Sequence, residues 1–534
     1  MDQPLDRRTF VGAAAAAGVL TLAGDPLRAA EAAGRRLKGG GIERARDVTF
    51  KQGVASGDPT AHRATLWTRV DGLERDARVT LEVARDRGFD RVVERREVVA
   101  RKRDNYSVKQ RVSGLDPGEQ YYYRFFTGKR DSDVGRFRSA VPADSNQPVR
   151  VGIFSCQDYE SGFYPGHRAM ANDDLDVVVC LGDYIYERSY EKSKVRVDGT
   201  GRNGDGEVQS LAEYRDKYAL YHGDRELRAL RANHALMAIW DDHEVEDNWA
   251  GDRAGDKAID PRIAFLKRRR NGFRAFFEHM PRMQNPRERF RIYDTLRFGR
   301  NLELFLLDER QYRSDQPCGD QIIVPCPPAE RNDPRRTLLG KEQMSWLKRT
   351  LRESDAVWKA VANQVMIMSV DFPLGSPINP DQWDGYGADR TELLSHIRDQ
   401  RISDVAFLTG DIHTFFAGDV TPTGRQGPAQ TGPPPVATEF VCGSVTSQGL
   451  LDNVGLSGQP DLGSLIVDGA VAPPDNPHFR YSNVKDKGYA VVEASRDELK
   501  VSFRSPASVK SRNSPVRSLK DFTVRRGIPR VEIT

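Results

Sequence analysis

Four apolar runs in this chain stop abruptly, and each is followed at once by side chains that bind metals or move protons. VRVGIF ends in Ser155-Cys156. LDVVVC runs into Leu181-Gly182-Asp183-Tyr184-Ile185-Tyr186-Glu187. ALMAI runs into Trp240-Asp241-Asp242-His243-Glu244 and on to Glu246-Asp247-Asn248. DVAFLT runs into Gly410-Asp411-Ile412-His413. Between and after these runs lie helical stretches: one ending near Asn172, one around Leu211–Tyr221, a long one over Ile259–His279 and an amphipathic one over Gly340–Ser354. NLELFLLDE and WKAVANQVMIMS add further apolar strands, and GYAVVEASRDELKVSFRSP reads as a closing β-hairpin. Apolar strands alternating with helices predict an α/β domain of layered sheets covered on both faces. Ligands of such domains sit outside the carboxyl ends of the strands. The pattern therefore predicts one site, from about residue 147 onward, at which four strand ends converge.

Residues 48 to about 145 are different in kind. VTFKQGVASGD, RATLWTRV, ARVTLEVARD, VKQRVSGL, QYYYRFFTG and VGRFRSA are short, rich in β-branched and aromatic residues, and separated by Gly, Pro and Asp turns. No helical period competes with them, so a β-sandwich of the fibronectin or immunoglobulin kind is expected. The Y-Y-Y-R-F strand is expected to pack Trp67 into its core. No internal repeat is present, and the Pro/Gly/Thr-rich segment 421–435 reads as a surface loop.

Composition narrows the function classes. The chain has 534 residues with Lys plus Arg at 81 and Asp plus Glu at 77, a formal charge of +4. That near-balance argues against a protein built around nucleic acid, which needs a strong basic footprint, so no nucleic-acid complex is expected. The absence of any strongly apolar run of 18 residues or more excludes a polytopic membrane protein. LKRRRN at 266–271 reads as a solvated helix face.

The first residues carry their own pattern. Arg7 and Arg8 precede an apolar stretch from Phe10 to Ala23, and A-x-A-like sites end near Ala30 or Ala33. This is the n-region, h-region and cleavage site of an export signal over 1–33; a membrane anchor or an ordinary amphipathic helix is the alternative. D-R-R-T-F-V resembles the twin-arginine signal, which implies a bacterial protein handed to the twin-arginine export machinery. Residues 34–47 read as a flexible basic leader. Five cysteines are too few for a disulfide scaffold. Cys318 and Cys326 share a Pro/Gly-rich loop, and in an oxidising compartment they make a disulfide pair, with two free thiols as the alternative. Cys180 and Cys442 read as buried core thiols.

Each strand-end residue also has an ordinary structural reading. Asp183 after a glycine suits a turn or a helix N-cap. Cys156 alone suits a structural thiol, and Tyr186 alone a core aromatic. DDHEVEDN alone suits a solvated turn. It is their coincidence at strand termini of one domain that points to a cluster of hard and intermediate cations. Asp411 and His413 are two residues apart and on a strand would share one face.

G-V-A-S-G-D-P-T, L-W-T-R-V, F-S-C, G-D-Y-I-Y-E, D-D-H-E-V-E-D-N, D-Q-W-D-G-Y and L-T-G-D-I-H together, in this order, resemble the PhoD-like alkaline phosphatases. The resemblance runs from about residue 48 to the C-terminal region. It implies an N-terminal β-sandwich over 48–145 and a calcineurin-like α/β metallophosphoesterase domain over 147–534. It also implies ferric iron (Fe3+) with calcium (Ca2+), and phosphate monoester and diester substrates. Carried onto this chain, it implies Cys156 and Tyr186 as thiolate and phenolate ligands to iron, Asp183 as the bridge, and Asn248 on the calcium side. Asp411 and His413 complete the cluster, with their division between the metals left open. Asp242 is a second candidate for the Asn248 role, and His243 is placed to contact the phosphoryl group or leaving oxygen.

Elementary chemistry agrees with that set. Two close cations can activate water and clamp the attacking and leaving oxygens of a phosphate ester in line. A phenol of ordinary pKa ~10 needs a strong Lewis acid to ionise near neutrality. Calcium prefers oxygen ligands such as Asp183, Asn248 and Asp411. The expected product of the chain is an exported, periplasmic or wall-associated phosphoesterase, acting as a monomer. Two alternatives stay open. One is a phospholipase D-type diesterase, for which Trp249, Trp383 and Tyr386 are aromatic candidates near the site. The other is a non-enzymatic, metal-stabilised binding protein.

Overall fold

The computed structural model of the chain describes residues 42–189, 195–255, 261–321, 326–370, 379–422, 433–449, 451, 469 and 476–534. The expected export signal over 1–33, most of the leader over 34–47 and most of the loop over 421–435 lie outside the described residues. Seven strands come first: β1 Val54–Gly57, β2 Arg63–Arg69, β3 Ala77–Ala84, β4 Val92–Ala100, β5 Ser107–Ser113, β6 Gln120–Phe126 and β7 Gly135–Arg138. They form an antiparallel sheet in the order β1-β2-β5 and another in the order β4-β3-β6-β7. Alternation along β6 turns Tyr121, Tyr123 and Phe125 inward, where Tyr121 stacks on Phe137 at 5.6 Å between ring centroids.

Two expectations need correction here, and one strand has no counterpart in the sequence pattern. Strand β4 has a charged middle (ERRE); it is an edge strand paired to β3 alone, where charge protects against further pairing. Trp67 does not enter the sandwich core. Leu66 does, and alternation puts Trp67 on the opposite face of β2, where its Nε1 donates to the carbonyl of Glu278 at 2.8 Å and its ring meets His222 edge-on. The end of the leader is not free: the Ala45 N–H donates to the Arg78 carbonyl at 2.8 Å and Ala45 is buried.

The rest of the chain builds two seven-stranded sheets. The strands are β8 Val149–Phe154, β9 Val177–Cys180, β10 Leu236–Ala238, β11 Asp294–Phe298, β12 Leu302–Leu306, β13 Trp358–Asn363, β14 Val405–Thr409, β15 Phe415–Val420, β16 Ala437–Val441, β17 Phe479–Asn483, β18 Tyr489–Ala494, β19 Glu498–Pro506, β20 Val516–Arg525 and β21 Glu532–Ile533. One sheet runs β10-β9-β8-β18-β19-β20-β21 and the other β11-β12-β13-β14-β16-β15-β17. In the first, β10, β9 and β8 are parallel; in the second, β12, β13, β14 and β16 are. Parallel strands buried on both faces read as near-continuous apolar runs, as VVVC and VAFLT do here.

The connecting helices are α1 Pro165–Met170, α2 Leu211–His222, α3 Arg225–Asn233, α4 Phe265–His279, α5 Pro328–Arg331, α6 Gly340–Glu353 and α7 Gly387–Asp399. Ser210 and Glu213 form a capping box at the start of α2. Helix α4 begins at Phe265 rather than at Ile259, and residues 256–260 lie outside the described set. Its apolar stripe stacks Phe273 on Trp240 at 4.2 Å. That contact anchors the segment leading directly into Asp241. The run at 266–271 is only partly a solvated face: Lys267 and Arg270 are exposed, but Arg268 is buried and pairs with Glu207 at 2.7 Å and Glu246 at 3.3 Å. No helix among the described residues is long and apolar enough to cross a membrane.

Candidate active site

The four strand ends singled out in the sequence do converge. β8 delivers Cys156, β9 delivers Asp183, the segment after β10 delivers Asp242 and His243, and β14 delivers Asp411 and His413. Cys156 and Asp183 lie on adjacent loops that bond to each other: Cys156 N–H to the Gly182 carbonyl and Gln157 N–H to the Asp183 carbonyl, both at 3.2 Å. Gly182 is required between them. Its φ is +116°, and a Cβ there would stand 2.4 Å from the Asp241 Cβ.

Three groups of potential metal ligands lie with their donor atoms within 4.8 Å of one another: Cys156, Asp183 and His413; Asp183, Asp242 and His243; Asp241, Asp242 and Asp411. Asp183 belongs to the first two and Asp242 to the last two, so the groups form one continuous cluster. Tyr186 joins it through its hydroxyl, 3.0 Å from Asp183 Oδ2, 3.1 Å from His413 Nε2 and 2.6 Å from Ser447 Oγ. His413 Nδ1 faces the Gln448 carbonyl, which fixes the ring and leaves Nε2 toward the cluster. Asn248 stands beside Asp242, donating its backbone N–H to Asp242 Oδ2 at 2.7 Å. All the ligand residues expected from the sequence are thus brought to one place.

The electrostatics are those of a site short of positive charge. Burial drives Asp183 well above the usual carboxylate range; His243 opposes the shift, while Asp242, Asp241 and Glu244 add to it. Burial also raises Asp411, with Asp241 and Asp381 adding, and pushes the Cys156 thiol up, with Asp183 adding. Burial would raise Asp242 too, but Arg310 and His243 outweigh it and hold the carboxyl low. Asp241 Oδ2 is buried without a hydrogen-bond partner among the described residues, an arrangement that costs free energy unless a cation meets it; Asp242 Oδ1 has the Arg310 guanidinium at 3.7 Å. The donor set is mixed: thiol, phenol, imidazole and carboxylate groups lie together. The residues therefore fit metal ions.

His243 is held by its neighbours. Its ring stacks on Tyr186 at 4.1 Å and its Nδ1 bonds Glu187 Oε2 at 2.6 Å. Burial would lower its pKa, but Asp242, Glu187 and Asp183 together raise it well above the ordinary value. Burial likewise opposes ionisation of Glu187, and the facing His243 brings it down to about 2.

Several residues without a role assigned from the sequence organise the cluster. Glu244 accepts from three backbone N–H groups, those of Asp183, Tyr184 and Asp241, and so ties the β9 and β10 loops together. Arg310, fully buried, makes a bidentate pair with Asp381 at 2.8 and 2.9 Å, bonds Asp241, and reaches Asp411 at 3.4 Å and Asp242 at 3.7 Å. It lies just beyond the NLELFLLDE run, so the same strand-end rule marks it. The three aromatic candidates for substrate contact are structural. Trp249, Trp383 and Tyr386 are all buried; Trp383 donates to Glu309 and Tyr386 to the Ser314 carbonyl, and Trp249 packs against Phe273. Solvent reaches the cluster instead at Asn248, Asp411 and His413, which are half-buried.

This geometry can be set beside known proteins. Residues 151–503 match the PhoD-like phosphatase family and residues 35–141 match the N-terminal domain of PhoD-like phosphatases. The chain belongs to the PhoD-like phosphatase family. It is 33% identical to alkaline phosphatase D of Bacillus subtilis (strain 168) over 470 residues, 85% of this chain and 77% of that protein. A solved structure of PhoD superposes with a TM-score of 0.80 at 29% identity, covering 91% of this chain and 92% of that one. The purple acid phosphatase PPD1 of yellow lupin shares the fold, with a TM-score of 0.53 at 13% identity over 89% of this chain and 74% of that one. This member of the PhoD-like family is therefore a phosphoric ester hydrolase, which sets aside the non-enzymatic binding protein. It has an N-terminal β-sheet domain ahead of an α/β metallophosphoesterase-like domain with two mixed sheets, as in PhoD and the purple acid phosphatase.

Proposed function

We propose that the chain is an exported alkaline phosphatase and phosphodiesterase that hydrolyses phosphate monoesters and diesters at a cluster of ferric iron and calcium. In this reading residues 1–33 are a twin-arginine signal, 34–47 a leader, 48–145 the sandwich and 147–534 the catalytic domain. The observation that carries it is the sharing of Asp183 between two ligand groups of different chemistry. Cys156, Tyr186 and His413 would hold the iron. Asn248, Asp411 and Asp242 would hold the calcium, and Asp183 would serve both. When bound, the two cations supply the Lewis acidity that activates water and neutralises the phosphoryl charge.

The chain's own groups do the rest. Arg310 holds Asp241, Asp381 and Asp411 in place, so the carboxylates around the proposed calcium position are fixed beforehand. His243, held at Nδ1 by Glu187, would present its other ring nitrogen to the leaving oxygen. The neighbouring half-buried edge at Asn248, Asp411 and His413 admits the ester. Identity to alkaline phosphatase D over most of the chain supports the monoester activity.

Asp183→Asn is the direct test. It should lose bound metal and reduce turnover of both ester types to background while the fold persists. Metal content and turnover close to wild type would contradict the shared-ligand role.

A further inference from the structure

The sequence marks Cys318 and Cys326 as a disulfide pair, and the structure joins them across a separation of eight residues. The described residues 316–320, which include Cys318, reach the Asn248 side of the cluster. Gln316 Nε2 donates to the Asn248 carbonyl at 2.8 Å and to Asp381 Oδ1 at 2.7 Å. Asp320 Oδ2 accepts from Asn248 Nδ2 at 2.6 Å. Asn248 is thus held from two sides by one short segment.

That segment does not follow its path by local preference. Cys318, Gly319 and Asp320 have φ of +59°, +64° and +54° in succession. A side chain with a Cβ disfavours this region and adopts it only where surrounding contacts impose it. The ties present are the disulfide at Cys318, a bond from the Cys318 N–H to Glu330 Oε1 at 2.6 Å, and the Asp320–Asn248 contact. Asp320 is buried, and its Oδ1 has no hydrogen-bond partner among the described residues.

The consequence for Asn248 is chemical. A side-chain amide offers an acceptor oxygen at one end and N–H donors at the other. With its nitrogen committed to Asp320 and its backbone N–H to Asp242, the carbonyl oxygen is the end left for a cation. An amide free to turn over would have to be oriented by the cation itself, at a cost in affinity.

We infer that Asp320 is a positioning residue for the calcium side of the site and that the Cys318–Cys326 disulfide holds it there, so that forming the disulfide raises calcium affinity. The inference rests on Asn248 being an oxygen ligand, as proposed above.

The test reads calcium affinity itself, by equilibrium dialysis and metal analysis on the full chain. It compares wild type, Asp320→Ala, the Cys318→Ser/Cys326→Ser pair, the triple variant and Asn248→Ala. Groups that orient a metal ligand are worth roughly 10- to 100-fold in affinity. Asp320→Ala and the serine pair should each weaken calcium by about tenfold or more. The triple variant should be no weaker than Asp320→Ala, because both changes act through one contact. Asn248→Ala should lose at least as much.

Should the serine pair not fold, wild type is reduced with a phosphine that is then removed without air. Phosphorus gives two electrons to the disulfide and becomes the phosphine oxide with oxygen from water, and the two sulfurs take up protons. Affinity should fall on reduction and return on reoxidation. Unchanged affinity in Asp320→Ala and after disulfide cleavage, with Asn248→Ala weakened, overturns the inference and leaves the proposed function standing. Unchanged affinity in Asn248→Ala overturns the ligand assignment and the inference together.

Discussion

Cys156, Asp183, Asn248, Asp411 and His413, five of the expected metal ligands, all sit at positive φ. Residues with a Cβ hold that conformation only where neighbouring contacts over-determine it, and such residues cluster at functional sites. Glu244 supplies much of that determination by taking the N–H groups of Asp183, Tyr184 and Asp241. Glu244→Ala should therefore leave buried donors unpaired, costing about 3 kcal/mol or more in denaturant unfolding, and lower metal content as Asp183 loses its place. Tyr186→Phe should abolish the visible phenolate-to-iron absorption while the protein stays folded; a variant that keeps the colour would rule out the phenolate. At this scale the strand-end rule led to Cys156, Asp183, Asp242, His243, Asp411 and His413, which the structure brings together. It marks the run that holds Glu244 and the one that ends just before Arg310, but not what either residue does. Their work is to join segments far apart in sequence, and no local pattern encodes which backbone groups a buried carboxylate will meet.

Among the elements, the sheet β1-β2-β5 is covered on both faces, which explains why Trp67 was placed on the wrong side. Strand β2 is buried through its whole middle, so alternation could not distinguish the sandwich core from the seam against α2 and α4. At that seam Trp67, Tyr218, His222 and His279 pack ring against ring, with the Arg231 guanidinium over Trp67. Trp67→Ala should cost about 3–5 kcal/mol by opening a cavity there. Burial lowers His279 to about 3, with the Ala275 carbonyl opposing, and burial and Arg231 lower His222. The folded state refuses protons that the unfolded chain accepts below about pH 6.5. This contribution to stability is complete above that pH and is lost as pH falls toward 3, by up to about 1.4 kcal/mol per pH unit for each histidine. Thermal midpoints of wild type and His279→Gln between pH 7 and 4 check it: wild type should lose stability relative to the variant on acidification. The charged edge strand β4 was missed for a related reason, since an edge needs only one apolar face and tolerates charge along most of its length.

For the whole molecule, two seven-stranded sheets direct their parallel strands' carboxyl ends at a single cluster, and the sandwich docks onto the helices behind it. The change of pattern near residue 147 and the strand–helix alternation made this layout legible. The antiparallel extensions β15, β17, β20 and β21 were not, because their pairing depends on long-range register. The central claim, a phosphoesterase with an iron–calcium cluster built around Asp183, is tested most directly by turnover. The measurement is hydrolysis of a chromogenic phosphate monoester and diester by protein of known iron and calcium content, before and after calcium is removed by chelation. The account predicts activity on both esters that disappears with calcium and returns when calcium is restored. Equal turnover after thorough calcium removal, or none with both metals bound, would contradict it.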